Sequence, residues 1–345
     1  MTRVCVIGGS GYAGIELIRL LNGHPKVELY HIVSNSMAGR KLWEVYPNFK
    51  GCLDVTYEQL NFDKIQQCDV IFTALPHGVS SEIVPKLYNM DKTVIDLSGD
   101  FRYNNPKVYE TWYGLQHKAP DVLKQAVYGL PELYREEIKK ARLVGNPGCY
   151  TTCAILALAP LLKHNIIEQN NIIIDAKSGT TGAGKGLSPG LHFTQCSQNI
   201  KAYSVAVHRH TSEIEQELSL VAQREIKVSF TPHLIPIKRG ILVTAYGNMN
   251  KEADWDTVFH SYAQFYKDAP FIRLYEEGKL PETNHVAGSN FCDIGFVLDK
   301  RLNRIVIVAA IDNIIKGAGG QAIQNMNLML GWNETTGLMF PGYYL

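Results

Sequence analysis

The run Gly8-Gly9-Ser10-Gly11-Tyr12-Ala13-Gly14 separates an apolar stretch, residues 3–7, from a helical pattern over residues 12–21. A strand that turns this abruptly into a helix needs glycine, because close backbone approach leaves no room for a side chain. The spacing Gly8, Gly11, Gly14 is a G-x-x-G-x-x-G variant of the dinucleotide fingerprint. There the first amides of the helix face a pyrophosphate. The chain is therefore expected to open with a βαβ unit. Gly8, Ser10, Gly11, Tyr12 and Gly14 are its candidate cofactor contacts.

The alternation continues. Residues 27–33, 69–74, 93–97 and 141–145 read as further strands, with a helix over 80–87. Apolar strands interleaved with helices predict a parallel sheet covered on both faces. The second half differs: strand patterns at 172–176, 228–230, 241–247, 293–299 and 304–311 surround a helical 254–266, and 317–330 forms a last helix. The expected fold class is α/β. A Rossmann-type dinucleotide-binding domain (1–148 and 318–345) joins an α+β catalytic and dimerisation domain (149–317) whose sheet is mixed and largely antiparallel.

An NAD site usually places an acid at the end of the second strand, for the ribose hydroxyls. Here Ser34-Asn35-Ser36-Met37-Ala38-Gly39-Arg40-Lys41 stands there, and no acid comes before Glu44. Hydroxyls and two cations suit a 2′-phosphate. NADP(H) is therefore the expected cofactor, with Ser34, Arg40 and Lys41 as its candidate ligands.

A formal net charge of +1 gives no long-range field toward nucleic acid or an anionic membrane. Neither is an expected partner. The seven cysteines are irregularly spaced without a Cys-x-x-Cys, which argues against a disulfide scaffold or a four-cysteine zinc site and fits a reducing cytoplasm.

One cysteine stands apart. Cys149 lies in Gly145-Asn146-Pro147-Gly148-Cys149-Tyr150, between a strand pattern and an apolar helix pattern. Unpaired amides and the helix dipole at such a start favour thiolate, a strong nucleophile toward acyl carbon. Most cysteines are instead small core thiols. Residues 203–210 alternate like a strand, which puts His208 and His210 on one face, with Ser212 and Glu215 as a capping box for the next helix. The histidine pair is open to three roles: a base for Cys149, a metal site lacking a visible third ligand, or a solvated loop. Gly179-Thr180-Thr181-Gly182-Ala183-Gly184-Lys185 imitates a phosphate-binding P-loop, but Gly186 replaces the hydroxyl that would hold magnesium. Arg102, after the fourth strand, is a candidate anion fork at the sheet edge.

These segments together resemble N-acetyl-gamma-glutamyl-phosphate reductase, a relative of aspartate-semialdehyde dehydrogenase. The resemblance runs from Gly8 to about Gly337. It is carried most by Gly145–Tyr150, Ser178–Gly186, His208-Arg209-His210, Thr231–Leu234, Asp312-Asn313 and Gly317–Asn327. It implies NADPH-dependent reduction of an acyl phosphate through a Cys149 thioester, in arginine biosynthesis. It also implies that His208 is the acid/base partner, with Arg102 and His210 at the substrate. Ser178, Gly179, Gly182, Gly184 and Asn313 would lie at the nicotinamide. Asn146 and nearby amides are candidate oxyanion donors. Many members carry arginine where this chain has Asn35. The acyl cap (acetyl, succinyl or a carrier-linked aminoadipyl chain) stays open, as does a homodimer against a homotetramer. Aspartate-semialdehyde dehydrogenase activity and a non-catalytic NADP-binding redox sensor are the alternatives.

Overall fold

The computed structural model describes residues 1–250 and 252–344, which fall into two compact units. The first comprises Met1–Pro147 and Ala318–Met339; the second comprises Gly148–Gly317 and the segment from Phe340 to Tyr344. The expected first domain ran through 318–345, so its last residues are placed differently here. The reason is local: the Tyr343 amide donates to the Ala287 carbonyl at 2.9 Å, and a Cβ on Gly288 would lie 2.1 Å from the Tyr343 ring.

In the first unit, β1 (Thr2–Ile7), β2 (Val27–Val33), β3 (Val70–Thr73), β4 (Thr93–Asp96), β5 (Val127–Tyr128) and β6 (Leu143–Gly145) form one sheet in the order β2-β1-β3-β4-β6-β5. Every pairing is parallel. Val4, Cys5, Val6, Val70, Ile71, Phe72, Val94 and Ile95 are fully buried, which is why these strands read as unbroken apolar runs. The strand order reverses between β2-β1 and β3, the place where ligands bind in doubly wound sheets. Between β4 and β6 lie β5 and the helices Pro106–Tyr113, Pro120–Leu123 and Pro131–Ile138, all absent from the expected elements. Each of these helices opens on proline, whose fixed φ suits a first turn. The two longer ones, PKVYETWY and PELYREEI, are mostly polar and carry few apolar residues to mark a buried face. The Gly320–Met329 helix completes the unit: Gln321 and Asn325 both donate to the Gly129 carbonyl, at 3.0 and 2.9 Å.

The second unit holds β7 (Ile172–Ser178), β8 (Lys201–Ala202), β9 (Val228–Leu234), β10 (Ile241–Asn248), β11 (Ile272–Leu274), β12 (Cys292–Asp299) and β13 (Arg304–Ile311), ordered β11-β12-β13-β10-β7-β9-β8. Pairings β7–β9 and β11–β12 are parallel and the others antiparallel. The Cys149–Lys163 helix packs on this sheet and is buried from Tyr150 through Leu162. A helix apolar all round belongs in a core. Pro160 sits inside it and lacks the amide that would bond the Leu156 carbonyl. Tyr266 supplies that hydrogen bond instead, its hydroxyl donating to Leu156 O at 2.7 Å.

Residues 203–208 are not a strand. Ser204 and Ala206 have φ of 45° and 60°, so the backbone turns there, and the His210–Ala222 helix starts at the second histidine. The expected capping box does not form: Ser212 Oγ donates to the Arg209 carbonyl, and Glu215 accepts from the Val228 amide across the unit. Among the described residues no helix is long and apolar enough to cross a membrane.

Candidate functional site

In the first unit, the Gly8 and Gly9 amides both donate to the Val33 carbonyl, at 2.9 and 3.0 Å, which pins the glycine turn to the end of β2. Gly8 has φ of 89°, and a Cβ on Gly14 would lie 2.3 Å from Gly8 O. Both glycines are thus obligatory for the turn. At Gly11 a Cβ would meet only Gly8 O, at 3.8 Å, so the turn is open at its crown. The Ser10 and Ser34 hydroxyls share a hydrogen bond of 2.7 Å, and Tyr46 donates to Ser10 O at 2.8 Å. An open glycine crown at a helix start, with two hydroxyls at the β2 end, fits a dinucleotide with a ribose 2′ substituent.

The two cations are less simply placed. Lys41 Nζ lies 3.0 and 3.1 Å from the carboxylate oxygens of Asp54. Arg40 is exposed and reaches the Glu44 carbonyl at 3.5 Å.

Arg102 is buried, and two of its donors are engaged by backbone: Nε to Asn146 O at 2.7 Å and Nη2 to Leu97 O at 2.8 Å. Asn146 is also held inside the unit. Its side-chain amide donates to Ala318 O at 3.2 Å, and its side-chain oxygen accepts from Asn325 at 3.1 Å. Both residues therefore brace the turn that leads to Cys149. Beneath them Asp96 accepts from Thr73 and Ser98, and burial pushes its carboxyl above the ordinary range.

In the second unit, Cys149 opens the buried helix and is partly exposed. The ring of Tyr150 meets those of His208 and His210 with centroids 5.8 and 6.0 Å apart, and the two imidazoles lie 4.8 Å from each other. The histidine pair is thus packed against the residue that follows the thiol. The His210 amide donates to His208 Nδ1 at 3.1 Å, so the neutral His208 ring carries its proton on Nε2. Burial, then the Arg209 charge, lowers the His208 pKa from 6.5 to about 4, against a partial offset from Glu213. At neutral pH His208 is an uncharged Nε2–H donor.

The Ser178–Gly184 segment and Asn313 form one cluster. Asn313 accepts from the Gly240 amide at 2.8 Å and donates to Thr181 Oγ1 at 2.9 Å. A Cβ on Gly182 would lie 3.2 Å from Ser178 Oγ and 3.4 Å from Asn313 Nδ2. On Gly179 it would lie 2.7 Å from Lys238 O. Gly184 has φ of 80° and open space around it.

Four residues escaped the sequence analysis. Tyr150 donates to His233 O, and Tyr203 donates to Tyr150. Burial raises both phenols, Tyr203 to about 12, and the Cys149 sulfur raises them further. Glu213, fully buried, accepts from the Gly148 amide at 2.9 Å. Gly317 lies against Cys149. Tyr150, Tyr203 and Gly317 stood inside segments already singled out, without a role of their own; Glu213 has no local signal, because its position arises from tertiary approach.

Two family models match: "Semialdehyde dehydrogenase, NAD binding domain" over residues 3–141 and "Semialdehyde dehydrogenase, dimerisation domain" over residues 149–313. The chain is similar to N-acetyl-gamma-glutamyl-phosphate reductase of Acetivibrio thermocellus, 54% identical over 346 residues and covering 100% of both chains. It is also similar to the reductase of that name in Alkaliphilus metalliredigens, at 51% identity over 98% of each chain. Among solved structures, aspartate semialdehyde dehydrogenase II of Vibrio cholerae superposes with a TM-score of 0.75 at 17% identity, over 96% of this chain and 98% of that one. The Candida albicans aspartate semialdehyde dehydrogenase, solved with NADP, gives 0.68 at 16% identity over the same shares. Those two likenesses show the fold; the full-length identities and both family models show that this chain belongs to the N-acetyl-gamma-glutamyl-phosphate reductases, within the semialdehyde dehydrogenase family.

Proposed function

We propose that this chain reduces N-acetyl-gamma-glutamyl phosphate to the corresponding semialdehyde with release of phosphate, in the cytoplasm. The observation that carries this is a partly exposed Cys149 at the mouth of a buried helix, with the histidine pair packed against Tyr150. Cys149 Sγ attacks the acyl carbon, the acyl–phosphate bond breaks, and inorganic phosphate leaves a thioester. NADPH, when bound, supplies a hydride to that carbonyl carbon. His208 Nε2–H donates a hydrogen bond to the oxyanion that forms, and this alkoxide collapses as the C–S bond breaks, which frees the aldehyde and the thiolate. His210 and Arg102 act at the substrate.

The residues Gly8, Ser10, Gly11, Tyr12, Gly14 and Ser34 hold the dinucleotide, and Arg40 and Lys41 its 2′-phosphate. Lys41 must leave Asp54 to do so. Ser178, Gly179, Gly182, Gly184 and Asn313 serve the nicotinamide end. A homo-oligomer is supported by the register of the second sheet, where Ile173, Tyr246, Val306 and Val297 fall in one row across four strands. Ile173 and Val297 are 40% and 44% exposed. Such an apolar row suits a second copy of the chain.

The test is the reverse reaction with N-acetyl and N-succinyl glutamate semialdehydes. Reduction of NADP that requires phosphate or arsenate, and is fastest with the N-acetyl compound, is expected. Phosphate-independent turnover, or faster turnover of the N-succinyl compound or of aspartate semialdehyde, would overturn the assignment.

A further inference from the structure

We infer that Glu213 is a positioning residue, which locks the turn carrying Cys149 to the helix that begins at the second histidine. The inference rests on the function proposed above. Glu213 lies in the first turn of the His210–Ala222 helix and is fully buried. Its Oε1 accepts two hydrogen bonds from the neighbouring helix, from the Gly148 amide at 2.9 Å and the Thr151 hydroxyl at 2.8 Å. Gly148 is the N-cap of the Cys149 helix and has no side chain to cap it. A carboxylate from another element instead holds the amide of Gly148 itself, one residue before the nucleophile. The Thr151 hydroxyl lies 2.6 Å from Gly148 O as well and shares its one proton between the two acceptors, so Glu213, Thr151 and Gly148 close one small network around the turn.

The same carboxylate acts on the other partner. It is the group that offsets, in part, the lowering of the His208 pKa by burial and Arg209. One side chain therefore holds the residue before the nucleophile and biases His208. Buried carboxylates are costly unless hydrogen-bonded, and charge-assisted bonds to amides are strong. Removing Glu213 leaves the Gly148 amide unsatisfied in the core and frees the turn to shift. A displacement of the reacting atom by about 1 Å can cost about a hundredfold in rate.

The experiment compares Glu213→Ala, Glu213→Gln and Thr151→Val in the phosphate-dependent reverse assay. Gln keeps the Oε1 acceptor and loses the charge. Glu213→Ala is expected to lower kcat by roughly 10–100-fold, with KM for NADP unchanged. Glu213→Gln is expected to recover most of that loss, and Thr151→Val to fall between. Alkylation of Cys149 by iodoacetamide without substrate, read by intact mass, should change in Glu213→Ala and return toward wild type in Glu213→Gln. Wild-type kcat in a folded Glu213→Ala, or equal losses in Ala and Gln, would overturn the role. If Glu213→Ala does not fold, Thr151→Val decides: slowed turnover at unchanged KM for NADP supports the network, and unchanged turnover overturns it. A wild-type protein without turnover on any semialdehyde would sink the proposed function; the alkylation comparison would still decide for or against Glu213.

Discussion

Gly317 closes against the nucleophile: a Cβ at that position would come within 2.7 Å of the Cys149 Cβ. Gly317 sits in a wide turn, Ile315–Gly319, where its amide donates to Asp312 O at 2.9 Å. Asp312 is itself held by the Ile314, Ile315 and Gly288 amides and by Arg239. The wall behind the thiol is therefore rigid, and a methyl there must displace Cys149. Gly317→Ala should lower kcat by roughly 10–100-fold with NADP affinity unchanged, measured by steady-state kinetics and a cofactor titration.

Cys149→Ser should abolish turnover and keep NADP binding, since it removes the nucleophilic sulfur and none of the proposed cofactor contacts. His208→Ala should slow turnover by about 10²–10³-fold, the usual cost of losing an oxyanion donor. A larger loss in His210→Ala would exchange their roles.

The pH dependence follows from the depressed His208 pKa. The folded ring takes up a proton only near pH 4, the unfolded one near 6.5. Between these values the unfolded chain binds more protons, so stability falls as pH drops from 6.5 to 4. His24 and His31, lowered mainly by burial, push in the same direction. His208→Gln should flatten the decline of melting temperature with acid without abolishing it. In the wild type, the activity limb due to His208 should lie near pH 4, not 6.5.

Lys41 is paired with Asp54 on the surface. If Lys41 serves the 2′-phosphate, Asp54 competes with it. A pair this exposed is weak, because water screens it. Asp54→Asn should therefore tighten NADPH binding by roughly 1.4–5-fold and leave NADH unchanged. An equal gain for NADH would show that Lys41 acts elsewhere.

Tyr266→Phe removes the donor that serves Leu156 O behind Pro160. The carbonyl is left buried and without its partner, at a cost of about 1–3 kcal/mol. Urea unfolding of the second unit should shift accordingly, and the double variant Tyr266→Phe/Pro160→Ala should regain part of the loss by restoring the helix amide.

The sequence made the first sheet legible because its strands are buried on both faces, as Val4–Ile7 and Val70–Thr73 show. It missed β5, β8 and β11, since two or three residues carry no period. Residues 203–208 misled because Tyr203, Val205 and Val207 alternate, while Ser204 and Ala206 turn the backbone through positive φ. Cys149 was visible from the turn and helix around it. The roles of Glu213 and Gly317 were not, because each matters only for what another element brings to it. The engagement of Arg102 and Asn146 by backbone carbonyls was equally hidden.

The interrupted course of the first unit has a consequence for biosynthesis. Its opening segment ends at Pro147, but the Gly129 carbonyl waits for Gln321 and Asn325, and His24 for Asn327. At translation rates of about 5–20 residues per second, the intervening stretch takes on the order of ten seconds or more to emerge. During that interval the nascent sheet must survive without its last helix, while the body of the second unit, Gly148–Gly317, emerges in one stretch. A chaperone bound to stalled nascent chains should therefore favour those that have passed Pro147 and not yet reached Asn327.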